Sequence, residues 1–243
     1  MRLVSVLLVL LSACSAPPAG PVVPEPVAGD PGGDRRRAVE RGLLPAVVLA
    51  GRDEPRWSVE ERMERYRVPG LGIAVIDDGA VAWAAGYGVT RAGGAVPTTA
   101  STRFQAASII KAVSAAGALR LVQDGRLGLD EDVGRRPRSW RLRFADGVAA
   151  APVTLRHLLS HSAGVTVHGF PGYRRGAPLP TPLQILDGAA PANSPAVRVD
   201  ETPGRRYRYS GGGYQVVELL LEEVTGRPFA SLLAELVLAP AGI

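Results

Sequence analysis

Residues 104–125 read FQAASIIKAVSAAGALRLVQDG, and they contain the only lysine in the chain. Of the 28 basic residues the other 27 are arginine, so a positive charge alone is supplied by Arg everywhere else. From Ser108 to Asp124 the stretch is alanine-rich and broken only by Gly117, and it stops at Gly125 as a helix C-terminus does. Apolar residues fall on nearly every side, which predicts a buried helix. Ser108 and Lys111, three apart, share one face with their Cβ atoms about 5–6 Å apart. The helix N-terminus favours negative charge on the Ser108 oxygen, and burial pushes a lysine amine toward its neutral form. A lysine with a pKa of about 10.4 is neutral only about once in a few thousand at pH 7, and bringing it near 7 costs about 4–5 kcal/mol. Arginine cannot follow, because its pKa exceeds about 12. The single lysine thus marks a position that needs an amine able to lose a proton. An isolated Ser-x-x-Lys is often a solvated helix residue; on an otherwise apolar helix the pair reads as nucleophile and base.

On the N-terminal side, Ser58-Val59-Glu60-Glu61 caps a short helix running to Tyr66. LGIAVI and AVAWAAGYGV flank Asp77-Asp78-Gly79, an apolar strand pair joined by an Asp-Gly turn. On the C-terminal side, APVTLRHLLSHSAGV predicts a helix between Thr154 and His161 with Thr154 as its N-cap. Residues 168–206 are rich in Pro and Gly and read as a long loop region. GYQVVELLLEEVT, from Gly213 to Thr225, is a helical run ended by Gly226, and Phe229–Leu238 is another.

The 243 residues suffice for one sizeable core or one domain with an appendage. The net charge of +5 comes from scattered arginines, and aromatics are only 5%, which argues against a nucleic-acid surface. MRLVSVLLVLLSAC places one charge before an apolar run from Leu3 to Leu11 that is too short to span a bilayer, an export signal. Leu11-Ser12-Ala13-Cys14 resembles the bacterial lipobox, in which the cysteine is lipidated. The alternative is a plain cleaved signal cut after Ala16. Cys14 is the sole cysteine, so no disulfide forms within the chain. Residues 15–52 are expected to be a Pro/Gly-rich tether, and the domain proper is expected over 53–243. The expected location is the bacterial cell envelope, as a lipoprotein or as a secreted or periplasmic protein.

Four stretches in order resemble the serine β-lactamase and D-alanyl-D-alanine-peptidase superfamily, in particular its class C-like hydrolases and esterases. They are VPGLGIAVIDDGAVAWAAGYGV, FQAASIIKAVSAAGALRLVQDGRLGLDEDV, TLRHLLSHSAGV and PGRRYRYSGGGYQVVELLLEEVTGRPF. Ser-x-x-Lys is itself a signature of that superfamily. The resemblance implies an α+β fold, an antiparallel sheet flanked by helices with a helical subdomain. It implies that Ser108 forms an acyl-enzyme, that Lys111 assists its deprotonation, and that Tyr209 stands at the Tyr of Tyr-x-Asn. It also implies an acyl substrate, a D-Ala peptide, β-lactam or small ester, and no cofactor. Ser210 and Gly211 complete the second motif, with Gly211 replacing the family's Asn. No Lys-Thr-Gly or His-x-Gly follows Tyr209, and the chain stops at LAPAGI. The expectation is therefore a truncated chain lacking the C-terminal strands and the second oxyanion donor.

Other chemistries fit less well. His157 and His161, spaced i, i+4, and His168 are the only histidines, and no Glu lies between the first two as a zinc hydrolase requires. Gly-x-Ser-x-Gly is absent, which argues against a Ser-His-Asp hydrolase. The histidines read as helix-end and loop residues making local hydrogen bonds. A non-catalytic envelope binding protein that retains the fold is the alternative from another class.

Overall fold

The computed structural model describes residues 31–243, which divide into two units, 31–105 and 106–243. The segment expected to be an export signal, Cys14 and the first part of the expected tether lie outside the described residues.

In the first unit, helix α1 spans Pro31–Arg41. Residues 31–41 fall within the stretch expected to be tether. Ion pairs one turn apart, Arg37 with Asp34 and Arg36 with Glu40, support the helix locally. Helix α2, Val59–Tyr66, opens with the expected capping box: Ser58 Oγ accepts from the Glu61 N–H at 3.1 Å and Glu61 Oε2 accepts from the Ser58 N–H at 2.6 Å. Strands β1, Gly70–Asp77, and β2, Ala80–Gly88, pair antiparallel from Gly70↔Gly88 to Asp77↔Ala80, with a bulge at Val75/Ile76. Asp78 and Gly79 both have positive φ, 51° and 75°, the conformation a two-residue hairpin demands and Asp-Gly supplies. Tyr87 of β2 donates its hydroxyl to Glu40 of α1 at 2.6 Å, a contact no local pattern in the sequence announces.

The second unit is mainly helical. A 3-10 turn, Ala107–Ile109, leads into α3, Ile110–Gln123. Then come β3, Arg143–Phe144, α4, Leu155–Leu159, α5, Pro182–Asp187, β4, Arg198–Val199, α6, Gly211–Thr225, and α7, Phe229–Leu233, which continues as a π-turn to Leu238. β3 and β4 form a two-residue parallel pair. Helix α6 is the centre: it packs against α3, α4, α5 and α7 and buries Val216, Val217, Leu219, Leu220 and Leu221. Leu121, Leu155, Leu158, Leu186 and Leu232 fill the space around it. Each fully buried leucine contributes about 1.5–3 kcal/mol.

Two expectations are corrected here. Helix α3 is not buried all round: Ser114, Gly117, Ala118 and Leu121 face α6 and the last helices, whereas Ile109, Ile110 and Leu119 are 71%, 40% and 47% exposed. Residues 168–206 are not all loop. Thr181 and Gln184 form a capping box, Pro182 occupies the first turn, and Gly188 at φ 64° ends α5.

Candidate active site

Ala107 has φ 43°, a left-handed conformation that costs a residue with a Cβ about 1–2 kcal/mol. That bend presents Ser108 at the head of α3, where its side chain is exposed. One turn on, Lys111 Nζ donates to Ser108 Oγ at 3.2 Å. Tyr209 arrives from the segment just before α6, 101 residues later in the chain, and its hydroxyl lies 2.7 Å from the same Oγ. The three residues chosen from the sequence for catalysis therefore meet at one oxygen.

Lys111 is half-buried, its ammonium 5.1 Å from the centre of the Tyr209 ring and 5.7 Å from that of Tyr214. This is less enclosed than the desolvated amine expected from the sequence. Hydrogen bonds from Lys111 and then Ser108 hold the Tyr209 phenol below the usual tyrosine range. The phenol gains ionised character while keeping contact with the serine hydroxyl, as a general base must. Tyr214, on α6, goes the other way; burial, and then the charge of Tyr209, push its phenol up. Its hydroxyl donates to the Leu159 carbonyl at 3.1 Å, which ties α6 to the end of α4.

Two histidines frame Tyr209. The His161 ring lies 4.4 Å from it, and the His168 ring 4.9 Å. His161 follows the end of α4 with φ 56°, so the chain has turned away from the helix before reaching it. Its carbonyl accepts the Arg208 N–H at 2.7 Å and its Nδ1 accepts the Ser210 N–H at 3.1 Å. His157 belongs elsewhere: its Nδ1 accepts the Thr154 N–H at 3.3 Å in the cap of α4. The i, i+4 spacing does not give a shared helix face, because α4 ends between the two residues. Among the described residues no cluster of His, Cys, Asp or Glu could hold a metal.

Ser210 and Gly211 serve the scaffold. Ser210 is buried, and its Oγ accepts the Gly213 N–H at 2.9 Å as N-cap of α6 while donating to the Thr166 carbonyl at 2.7 Å. Gly211 donates its N–H to the His168 carbonyl at 3.0 Å. A Cβ there would sit 3.1 Å from that carbonyl oxygen and 3.3 Å from the Phe170 ring, so the segment 168–170 approaches too closely for a side chain to enter freely. Arg208 anchors the Tyr209 segment from the other direction, reaching Glu201 at 2.9 Å, the Gly164 carbonyl at 2.8 Å and Asp200.

Sequence reasoning did not assign His161, His168 or Tyr214 to the site. The Ser-Ala-Gly that follows His161 signals a turn, but its partner, the amide of Ser210, is 49 residues away.

Residues 58–243 match the family described as Beta-lactamase. The chain is 28% identical over 212 residues to Esterase EstB of Burkholderia gladioli, covering 82% of this chain and 52% of the esterase. Among solved structures, the octameric penicillin-binding protein homologue from Pyrococcus abyssi shares 30% identity and a TM-score of 0.61, over 76% of this chain and 41% of that one. A D-amino acid amidase from Ochrobactrum anthropi SV3 shares 26% identity and a TM-score of 0.60, over 75% and 47%. The chain thus spans about half or less of the length of these relatives.

Proposed function

Since the chain belongs to the beta-lactamase family, we propose that it carries the acylating machinery of a serine hydrolase that works on an amide or ester through an acyl-enzyme. The observation that carries this reading is the meeting of the Tyr209 hydroxyl and the Lys111 amine on Ser108 Oγ, at 2.7 and 3.2 Å. Ser108 Oγ attacks the carbonyl carbon, and its proton passes to the Tyr209 phenolate, which Lys111 holds in its ionised form. The tetrahedral intermediate collapses, the bond to the leaving nitrogen or oxygen breaks, and that atom takes the proton from Tyr209. Water then hydrolyses the acyl-Ser108 ester by the reverse transfers. General-base assistance of this kind contributes about 10²–10⁴-fold.

The substrate class is a small ester or an amide of a D-amino acid. The relatives named above, an esterase and a D-amino acid amidase, support this breadth. Gly211 offers no side-chain amide, and its N–H is spent on His168, so a β-lactam finds less to hold it here. Cys14 carries the lipid that tethers the domain to the envelope; loss of radiolabelled palmitate on Cys14→Ser checks this separately.

The decisive experiment is covalent labelling with a fluorophosphonate probe and with a fluorescent penicillin. Mass spectrometry should find the adduct on Ser108, and Ser108→Ala should abolish it. A folded chain that neither probe labels would favour a binding protein that keeps the fold without turnover.

A further inference from the structure

His161 holds both flanks of Tyr209. Its carbonyl accepts the N–H of Arg208 at 2.7 Å, its Nδ1 accepts the N–H of Ser210 at 3.1 Å, and its ring lies 4.4 Å from the phenol ring between them. A backbone amide can only donate, so Nδ1 must carry a lone pair and the neutral ring's proton must reside on Nε2.

We propose that His161, as the neutral ring protonated on Nε2, is the positioning residue of this site: it locks the Tyr209 phenol onto Ser108, and a proton on Nδ1 releases the lock. This rests on the acyl-transfer reading above, and it adds a pH gate to it. Protonation replaces an acceptor by a second donor facing the Ser210 N–H. That amide precedes Gly211 in the turn that caps α6, so its displacement moves the phenol with it. A shift of about 1 Å at a reacting group costs about 10²-fold in rate.

The surroundings of the ring favour its neutral form. Lys111 comes from α3, Tyr214 from α6 at 5.2 Å, Tyr207 and Tyr209 from the segment before α6 at 5.8 and 4.4 Å, and His168 from the strand of chain beyond Gly164. Burial, then the charge of Lys111 and that of His168, push the His161 imidazole below its ordinary range. The lock is therefore closed at neutral pH and opens only in acid. The left-handed backbone at this position also has a use in the test, because asparagine adopts it readily and places Oδ1 where Nδ1 stands.

The test joins two readouts on the whole chain. In ¹⁵N-labelled protein, Nδ1 of His161 should show an unprotonated nitrogen at pH 7, and the Ser210 amide shift should follow the ring's titration on acidification. In parallel, labelling of Ser108 by a fluorophosphonate is timed from pH 4 to 8. The wild type should lose at least about tenfold in rate across the His161 titration. His161→Asn should stay within about threefold of wild type at pH 7 and lose that acid limb, and His161→Phe, with a ring but no acceptor, should be slower at least about tenfold at every pH. A proton found on Nδ1 at pH 7, an acid limb unchanged in His161→Asn, or wild-type rates in His161→Phe overturns the proposal. If wild-type Ser108 takes no label, the acyl-transfer reading fails, and the lock is judged by the Ser210 amide alone. An amide that ignores the His161 titration then refutes it.

Discussion

Glu218 is 6% exposed in the middle of α6, with Oε1 lacking any hydrogen-bond partner and Oε2 accepting from Gln215 Nε2 at 2.6 Å. Burial, reinforced by the charge of Glu222 and only partly offset by Gln215, pushes its carboxyl up to about 8 from 4.5. Such a group binds its proton more tightly in the folded chain, so its contribution is complete below the unfolded value and is withdrawn as pH rises through about 8. At 1.36 kcal/mol per decade the folded state loses about 3 kcal/mol by pH 7 and about 5 kcal/mol by pH 9. Glu218→Gln keeps the shape and removes the titration. Urea unfolding of both proteins at pH 5, 7 and 9, followed by far-ultraviolet circular dichroism, should show the variant gaining on the wild type by about 4 kcal/mol between pH 5 and pH 9. A difference constant to within about 0.5 kcal/mol over that range would refute the reasoning, since a group that is not desolvated produces no such slope.

Lys111→Arg should slow fluorophosphonate labelling of Ser108 at least about 100-fold, within the reach of general-base effects, because a planar guanidinium on a longer side chain does not set its charge where Nζ stands, 3.2 Å from Ser108 Oγ and 5.1 Å from the centre of the Tyr209 ring. Wild-type rates in that variant would show that any cation near Tyr209 suffices and that the placement of Nζ does not matter. Tyr209→Phe should cost about 10²–10⁴-fold in the same assay. It should also abolish the rise in rate with pH, which in the wild type levels off below the usual tyrosine range. Gly211→Asn, which restores the motif's residue, should destabilise the chain by about 1–3 kcal/mol in urea unfolding through crowding against His168 and Phe170, rather than raise penicillin labelling.

What was legible in the sequence was what local chemistry decides. Ser58 with Glu61, Asp78-Gly79, Thr154 and Gly226 each fix a terminus or a turn within a few residues, and each is found where expected. Ser108 and Lys111 were legible for the same reason, as an i, i+3 pair, here joining the 3-10 turn Ala107–Ile109 to the first turn of α3. Tyr209 was reached only through the resemblance, because nothing local ties it to a serine 101 positions earlier. Helix α5 was hidden by its setting: six residues among prolines and glycines leave no period to read, although Thr181 and Gln184 were its cap. Helix α1 was masked likewise by the Pro/Gly-rich stretch that precedes it. The bury-all-round expectation for α3 failed because alanine and isoleucine satisfy helix propensity whether or not a neighbour covers them, so apolar composition alone does not say how many faces are packed. His161 escaped because its function lies in a backbone amide distant in sequence, and amides leave no mark in a sequence.

The solitary ammonium beside Tyr209 also makes this chain unusually convenient to mark. The other 27 of the 28 Lys and Arg side chains are guanidinium groups, so an amine-selective reagent such as an activated ester or a reductive methylation mixture has one side chain to modify. A single mass increment would then report on the microenvironment of the reacting centre, and the pace of its appearance with and without a bound ligand would give an occupancy assay that needs no knowledge of the natural substrate.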